Sequence, residues 1–347
     1  MGATIKTDRV ATRYVAAASL AKGIVRVRRG KGFSYLYRNR LIKTATQLQR
    51  IKSLAIPPAW TDVRICPYPS GHLQAVGRDA AGRRQYIYHP SWIKKRSDKK
   101  YTRLLHFGEA LPDLRNRVNN DLRAEDWSAE RVIATAIRLM ENSHLRIGGE
   151  QYEKDYHSHG LITLQNQHAH PGKNSLVIAY TGKKGVQQQH RITDRLLIGL
   201  IRRCRELPGK RLFQYKDEAG RRKAITTTQV NQYIKSATGE NFSAKDFRTW
   251  AGTVYALNFL LHHPERADAA DQNLIPEMLQ YVSKHLGNTP SVCRKYYIHP
   301  RILQLYEKGG KDSRPSIKMS KQLFGKKELS ALEKKLIRLL RIEKDTD

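Results

Sequence analysis

The spacing of the apolar residues changes partway along the chain, and that change limits the fold more than any other feature. In the first hundred residues, β-branched and aromatic side chains recur at every second position, as in GIVRVRRG (23–30) and FSYLYR (33–38). A period of two belongs to strands with one buried face. HLQAVGRD and RRQYIYHP flank the turn-like DAAG and predict a β-hairpin. One short helix interrupts, where Leu48, Ile51, Leu54 and Ala55 form an apolar stripe ended by Pro57 and Pro58. Further on, the period becomes helical. Ser128 is placed to cap a helix that turns Val132, Ile133, Ala136, Ile137, Leu139 and Met140 toward a core. A β interruption follows, with SLVIAY (175–180), the basic turn TGKKG and then VQQQHRIT. Helical patterning resumes from Asp194, runs on through Gln229, Tyr255 and Met278, and ends in a terminal helix over 328–342. No repeat of solenoid period occurs. Residues 94–100, KKRSDKK, lack apolar periodicity and read as a linker. The expected fold class is α+β: a small β-rich domain over 1–98 and a larger, mainly α-helical domain with a small β-sheet over 99–347.

Charge narrows the partner. The 347 residues hold 64 Lys and Arg against 31 Asp and Glu, a formal charge of +33, while 39% are hydrophobic, enough for ordinary cores. Such an excess calls for an anionic partner. Nucleic acid fits best, because neutralised phosphates release condensed counterions. A membrane surface, an acidic protein or a place on the ribosome would also accommodate it. The three cysteines, Cys66, Cys204 and Cys293, form no C-x-x-C pair and leave one over in any disulfide scheme, which suits a reducing compartment. No apolar run approaches the ~20 residues a membrane span needs, and the first residues lack a signal-peptide core. Lys6 stands where a myristoylation signal needs Ser or Thr. The expectation is a soluble cytoplasmic, nucleoid-associated protein with no membrane partner.

Several chemistries are missing. GGKD at Gly309 lacks the spacing and the hydroxyl of a phosphate-binding loop, and neither H-E-x-x-H nor G-x-S-x-G occurs. The pairs His157/His159 and His168/His170 have no Cys or carboxylate at ligand spacing, so they read as surface or phosphate-facing histidines. An enzyme built from this chain would be expected to act on nucleic acid without ATP, metal or other cofactor.

Phosphoryl transfer under those conditions needs cations on the non-bridging oxygens, a nucleophile, and an acid for the leaving oxygen. Arginine suits the first role because its fork matches two phosphate oxygens. A tyrosine nucleophile keeps the energy of the phosphodiester in a covalent ester. LRIGGEQY (145–152), GLITLQNQH (160–168), IAYTGKKG (178–185), KDFRTW (245–250) and LGNTPSVCRKYY (286–297) follow one another in that order. Together they resemble the catalytic domain of poxvirus-like, bacterial type IB DNA topoisomerases. GRRQYIYHP (82–90) resembles the DNA-contacting strand of that family's N-terminal domain, so the resemblance covers most of the chain.

The resemblance implies a role for each matched position. Arg146 would hold the scissile phosphate and support proton transfer, and Arg248 would grip a non-bridging oxygen. Lys183 would enter the minor groove and protonate the leaving 5′-oxygen, and Lys184, its rival in the same turn, would touch DNA. Tyr297 rather than its neighbour Tyr296 would attack, since the family places the nucleophile nine positions after the residue that follows Leu-Gly. That residue is His in many relatives and Asn288 here. An amide N–H can donate the same hydrogen bond but carries no charge. Gln85, Tyr86 and Tyr88 would meet the major groove, the two tyrosines sharing one face of a strand, and Tyr152 would touch the backbone. The implied partner is double-stranded DNA, with a monomer clamped around the duplex. A tyrosine recombinase shares the Arg–Lys–Arg–Tyr chemistry but usually carries a helical domain where this chain reads as β-rich. A non-catalytic basic DNA-binding protein would share the charge without needing Tyr297, Lys183 and both arginines.

Overall fold

The N-terminal alternation becomes an antiparallel sheet of six strands: β1 (Ile24–Arg29), β2 (Gly32–Tyr37), β3 (Arg40–Leu41), β4 (Thr61–Ile65), β5 (Leu73–Arg78) and β6 (Arg84–Tyr88), ordered β3-β2-β1-β4-β5-β6. The structure is a computed structural model that describes residues 12–262, 274–307, 324 and 328–344. Ile24, Val63, Ile65 and Ala75 point from the sheet onto Ile51 of helix α1 (Ala45–Ser53) and form the core. The β5–β6 hairpin closes where expected, with Gly82 N–H donating to the Asp79 carbonyl and Gly82 at φ 72.

Residues 94–100 are not a linker. They lie inside helix α2 (Pro90–Arg123), whose start is well specified. His89 Nδ1 accepts from Ser91 N–H at 3.2 Å, and Pro90, with its fixed φ, takes the first helical position. Lysine and arginine are good helix formers, and a stretch with most of its side chains in water has no need of an apolar stripe. The chain divides into two units, Met1–Thr102 and Arg103–Asp347, at a point inside this helix.

In the second unit, α3 (Ala129–Ser143) buries all six apolar residues that its period selects, and Ser128 caps it by accepting from Arg131 N–H. After α4 (Glu150–Tyr156) comes a three-stranded sheet, β7 (Ala169–Pro171), β8 (Leu176–Thr181) and β9 (Gln187–Ile192), in sequence order. Helix α5 (Arg195–Glu206) starts at Asp194, which accepts from Leu197 N–H at 3.0 Å. A hairpin of β10 (Gln214–Lys216) and β11 (Arg222–Ala224) follows. Helices α6 (Thr227–Thr238), α7 (Ala244–His262), α8 (Leu274–Leu286), α9 (Pro290–Tyr296), α10 (Pro300–Glu307) and α11 (Ala331–Lys344) complete the described chain. Strands β7, β10 and β11 were not anticipated, because three residues are too few to reveal a period.

A buried ionic cluster ties α2, α3, α7 and α11 together. Arg115 donates to Glu141 at 2.7 Å and through two nitrogens to Glu333 at 2.8 and 3.1 Å, and Trp250 Nε1 donates to Glu333 at 3.0 Å. Burial by itself would lower the arginine's pKa, but the two carboxylates outweigh it and raise it. Arg115→Ala would leave two carboxylates buried without their cation. It should cost about 3–5 kcal/mol of unfolding free energy, read from the denaturation midpoint. Glu109→Ala, which loses only the surface pair with Arg341 at 2.7 Å, should cost about 1 kcal/mol or less.

Candidate active site

Helix α3 ends because His144 takes a left-handed conformation, φ 55, and donates its N–H to the Met140 carbonyl at 2.8 Å. The turn that follows carries Arg146. Its carbonyl accepts from Leu161 N–H at 2.8 Å and that of Ile147 from Ile162 N–H at 3.0 Å, so the RIGG segment is pinned along the residues after Gly160. Gly148 (φ 79) and Gly160 allow this: a Cβ on either would lie within 2.9 Å of the other's backbone. Thus fixed, Arg146 donates through Nη2 to the Gly287 carbonyl at 3.1 Å and to the side-chain oxygen of Asn288.

Arg248 projects from the buried face of α7 and is itself buried. Its two terminal nitrogens donate to main-chain carbonyls, Nη1 to His144 and Nη2 to Leu286 at 2.8 Å. The guanidinium carbon stands 5.2 Å from the centre of the Tyr297 ring. Tyr297 is the residue just past α9, at φ −129, with its N–H bonded to the Cys293 carbonyl. Leaving the helix turns it away from Tyr296, so that Tyr297 is half-buried against Arg248 while Tyr296 is 49% exposed. Thr253 donates to the Tyr297 carbonyl at 3.3 Å, and Gly252 permits that approach, since a Cβ there would lie 2.5 Å from the same oxygen.

Arg146, Arg248, Asn288 and Tyr297 are therefore brought together from four separate segments. Lys183 stands at their margin. It opens the short turn Lys183–Gly185 between β8 and β9, is exposed, and faces the Tyr152 ring with 5.8 Å to the centroid. No hydrogen bond joins it to the other four among the described residues. Lys184 lies in the same turn, and its side chain falls outside the described residues.

The electrostatics are those of an anion site. Burial, then the charge of Arg248, lowers the pKa of Arg146. The groups around the arginines are held neutral. Burial followed by Arg248 pushes His144 down to about 3 and His190 down to about 4. Burial pushes Tyr180 up to about 12 and Cys293 up to about 11, against the pull of both arginines. Three buried polar nitrogens here, Arg248 Nε, Asn288 Nδ2 and His190 Nε2, have no partner among the described residues. Orphaned polar atoms of this kind are costly, and a bound anion that accepts from the donors among them would remove the cost. No motif marks His190, which sits opposite Ile178 in an otherwise ordinary strand.

In the first unit, Tyr86 and Tyr88 lie on one face of β6 with stacked rings 6.2 Å apart. Tyr86 is 42% exposed, whereas Tyr88 packs on Leu20, Cys66 and Leu73. The amide nitrogen of Gln85 donates to Asp79 at 2.8 Å. Tyr152, on α4, is 52% exposed.

A phenol beside two arginines and an amide is the equipment of a transesterase that makes a covalent phosphotyrosine. The eukaryotic DNA topoisomerase I catalytic core matches residues 90–323, and the bacterial DNA topoisomerase IB N-terminal domain matches residues 32–79. DNA topoisomerase 1B of Acanthamoeba polyphaga mimivirus is 30% identical over 297 residues, 83% of this chain and 88% of the viral protein. DNA topoisomerase 1B of Vaccinia virus (strain Copenhagen) is 23% identical over 235 residues, 66% and 71% of the respective chains. The chain belongs to the type IB DNA topoisomerases.

Proposed function

We propose that the protein relaxes supercoiled duplex DNA by cutting and resealing one strand through Tyr297. The phenolic oxygen attacks phosphorus, the bond to the 5′-oxygen breaks, and a 3′-phosphotyrosyl ester forms. The phenolic proton leaves to solvent, and the departing 5′-oxygen takes one from Lys183. Arg146 and Arg248 neutralise the non-bridging oxygens, and Asn288 donates its free amide N–H to one of them. Resealing is the reverse reaction and needs no ATP, because the ester stores the energy of the broken bond. The observation that carries this reading is the Tyr297 ring held against Arg248 next to unpaired donors on Arg248 and Asn288.

Asn288 stands where many relatives carry histidine. Its oxygen is taken by Arg146, which leaves the NH2 to face the phosphate. The exchange keeps the hydrogen bond and gives up a charge, so it bears on the rate rather than on the reaction. Tyr86, Tyr88 and Gln85 would meet the major groove, and Tyr152 and Lys184 the backbone. With a charge of +33, a monomer closing on the duplex as a clamp, in the cytoplasm at the nucleoid, is the matching mode of action.

The test is incubation with supercoiled plasmid in EDTA without ATP. Relaxation is expected. Gel retardation without relaxation would indicate a mere binder, and site-dependent strand exchange a recombinase. Binding should also weaken steeply with salt, each phosphate contact adding about 0.9 to the log–log slope. A flat binding curve between low and physiological salt would speak against a clamp.

A further inference from the structure

Lys183 lies on an exposed turn, whereas Arg248 comes from a buried helix and Arg146 and Asn288 from half-buried turns. Something must set the distance between them, and one side chain touches both sides. Gln188, half-buried on β9, is paired with Tyr180 across the hairpin, at the foot of the lysine turn. Its Cγ lies 2.9 Å from the point a Cβ on Gly182 would occupy, directly before Lys183. Its amide reaches the other way: Oε1 lies 2.7 Å and Nε2 3.2 Å from where a Cβ on Gly287 would be, directly before Asn288. The two glycines thus make a slot that Gln188 fills. Within the turn, Gly182 N–H donates to the Val186 carbonyl at 2.8 Å and Gly185 N–H to the Gly182 carbonyl at 3.1 Å, and beyond Gln188 the turn meets the Tyr152 ring through Lys183. On the far side, the Gly287 carbonyl is an anchor of Arg146.

We propose that Gln188 is a positioning residue, a spacer that sets the Lys183 turn at its working distance from Asn288 and Arg146. The proposal rests on the reading of Lys183 as a participant in cleavage. Close packing makes such a spacer effective, because neighbours on either side do not collapse freely into the gap left by its removal. A displacement of about 1 Å in a reacting group can cost about 100-fold in rate.

A double-mutant cycle on single-turnover cleavage of a duplex that traps the covalent complex tests the idea. Gln188→Ala should slow cleavage by about 10- to 100-fold in the otherwise unchanged enzyme, but by no more than about 3-fold in a Lys183→Ala background, where no lysine remains to be placed. Gln188→Met, similar in length, should keep the rate within about 5-fold, and Gln188→Ala and Gln188→Met should each leave non-covalent DNA affinity as it is in their own background. Gln188→Ser enters the same cycle should the alanine variant be unstable. Equal losses from Gln188→Ala in both backgrounds would overturn the proposal while leaving the role of Lys183 intact. So would a Gln188→Ala enzyme that cleaves at the unmodified rate. If Lys183→Ala itself cleaved normally, the reading of Lys183 would fall, and this inference with it.

Discussion

Tyr297→Phe should abolish the covalent protein–DNA complex and all plasmid relaxation, a fall of at least about 10⁴-fold, since only the attacking hydroxyl is removed. Non-covalent binding should change little. The ring remains, and with it the contact with Arg248 at 5.2 Å, while the main-chain bond from Tyr297 to Cys293 is untouched. Tyr296→Phe should stay within about twofold of the unmodified rate, because that side chain is exposed and stands outside the arginine cluster. Denaturing gels on end-labelled DNA read both outcomes. Covalent complex persisting with phenylalanine at 297 would mean that a different residue attacks.

Lys183→Ala should slow cleavage of ordinary DNA by about 10²- to 10⁴-fold, and the nature of the leaving atom distinguishes an acid from a simple cation. A 5′-alkoxide leaves poorly unless it is protonated as the bond breaks. A sulfur in the bridging position departs readily without a proton. Lys183→Ala is therefore expected to regain most of its rate on a 5′-bridging phosphorothiolate. Arg248→Ala should regain little, since its role is charge on the non-bridging oxygens, and Arg146→Ala should regain part if it relays the proton. Equal defects for Lys183→Ala on both substrates would leave it a DNA-binding residue. Rescue confined to Lys184→Ala would keep the turn but move the acid by one position.

The parts of this molecule legible in its sequence are those where a long periodic segment meets a clear stop. The β5–β6 hairpin and α3 are examples: two strand-like segments parted by the turn DAAG in the first case, and a wide apolar stripe behind Ser128 in the second. Helix α2 escaped at residues 94–100 because charged side chains in water leave no stripe, although nothing in that stretch opposes a helix. The short strands β7, β10 and β11 take their definition from their partners rather than from their own residues. In the site, the family resemblance carried by the ordered motifs singled out Arg146, Arg248, Asn288 and Tyr297, which the fold does bring together, but it could not show their supports. The oxygen of Asn288 that turns toward Arg146, and the packing of Gln188 over Gly182 and Gly287, exist only once distant segments meet.

The grip on Arg248 has a consequence for how such a protein can diverge. Both oxygens that hold it belong to the main chain, at the ends of α3 and α8, where His144 (φ 55) and Gly287 (φ 57) turn the chain out of its helix. A carbonyl is supplied by every amino acid. The clamp is therefore indifferent to what side chain stands at position 286, and at 144 it asks only for a residue that tolerates the left-handed turn. Inheritance could rewrite most of the surrounding letters, so long as two helices still stop at the right places, without loosening the arginine. A centre held this way can outlast the similarity of the text that encodes it.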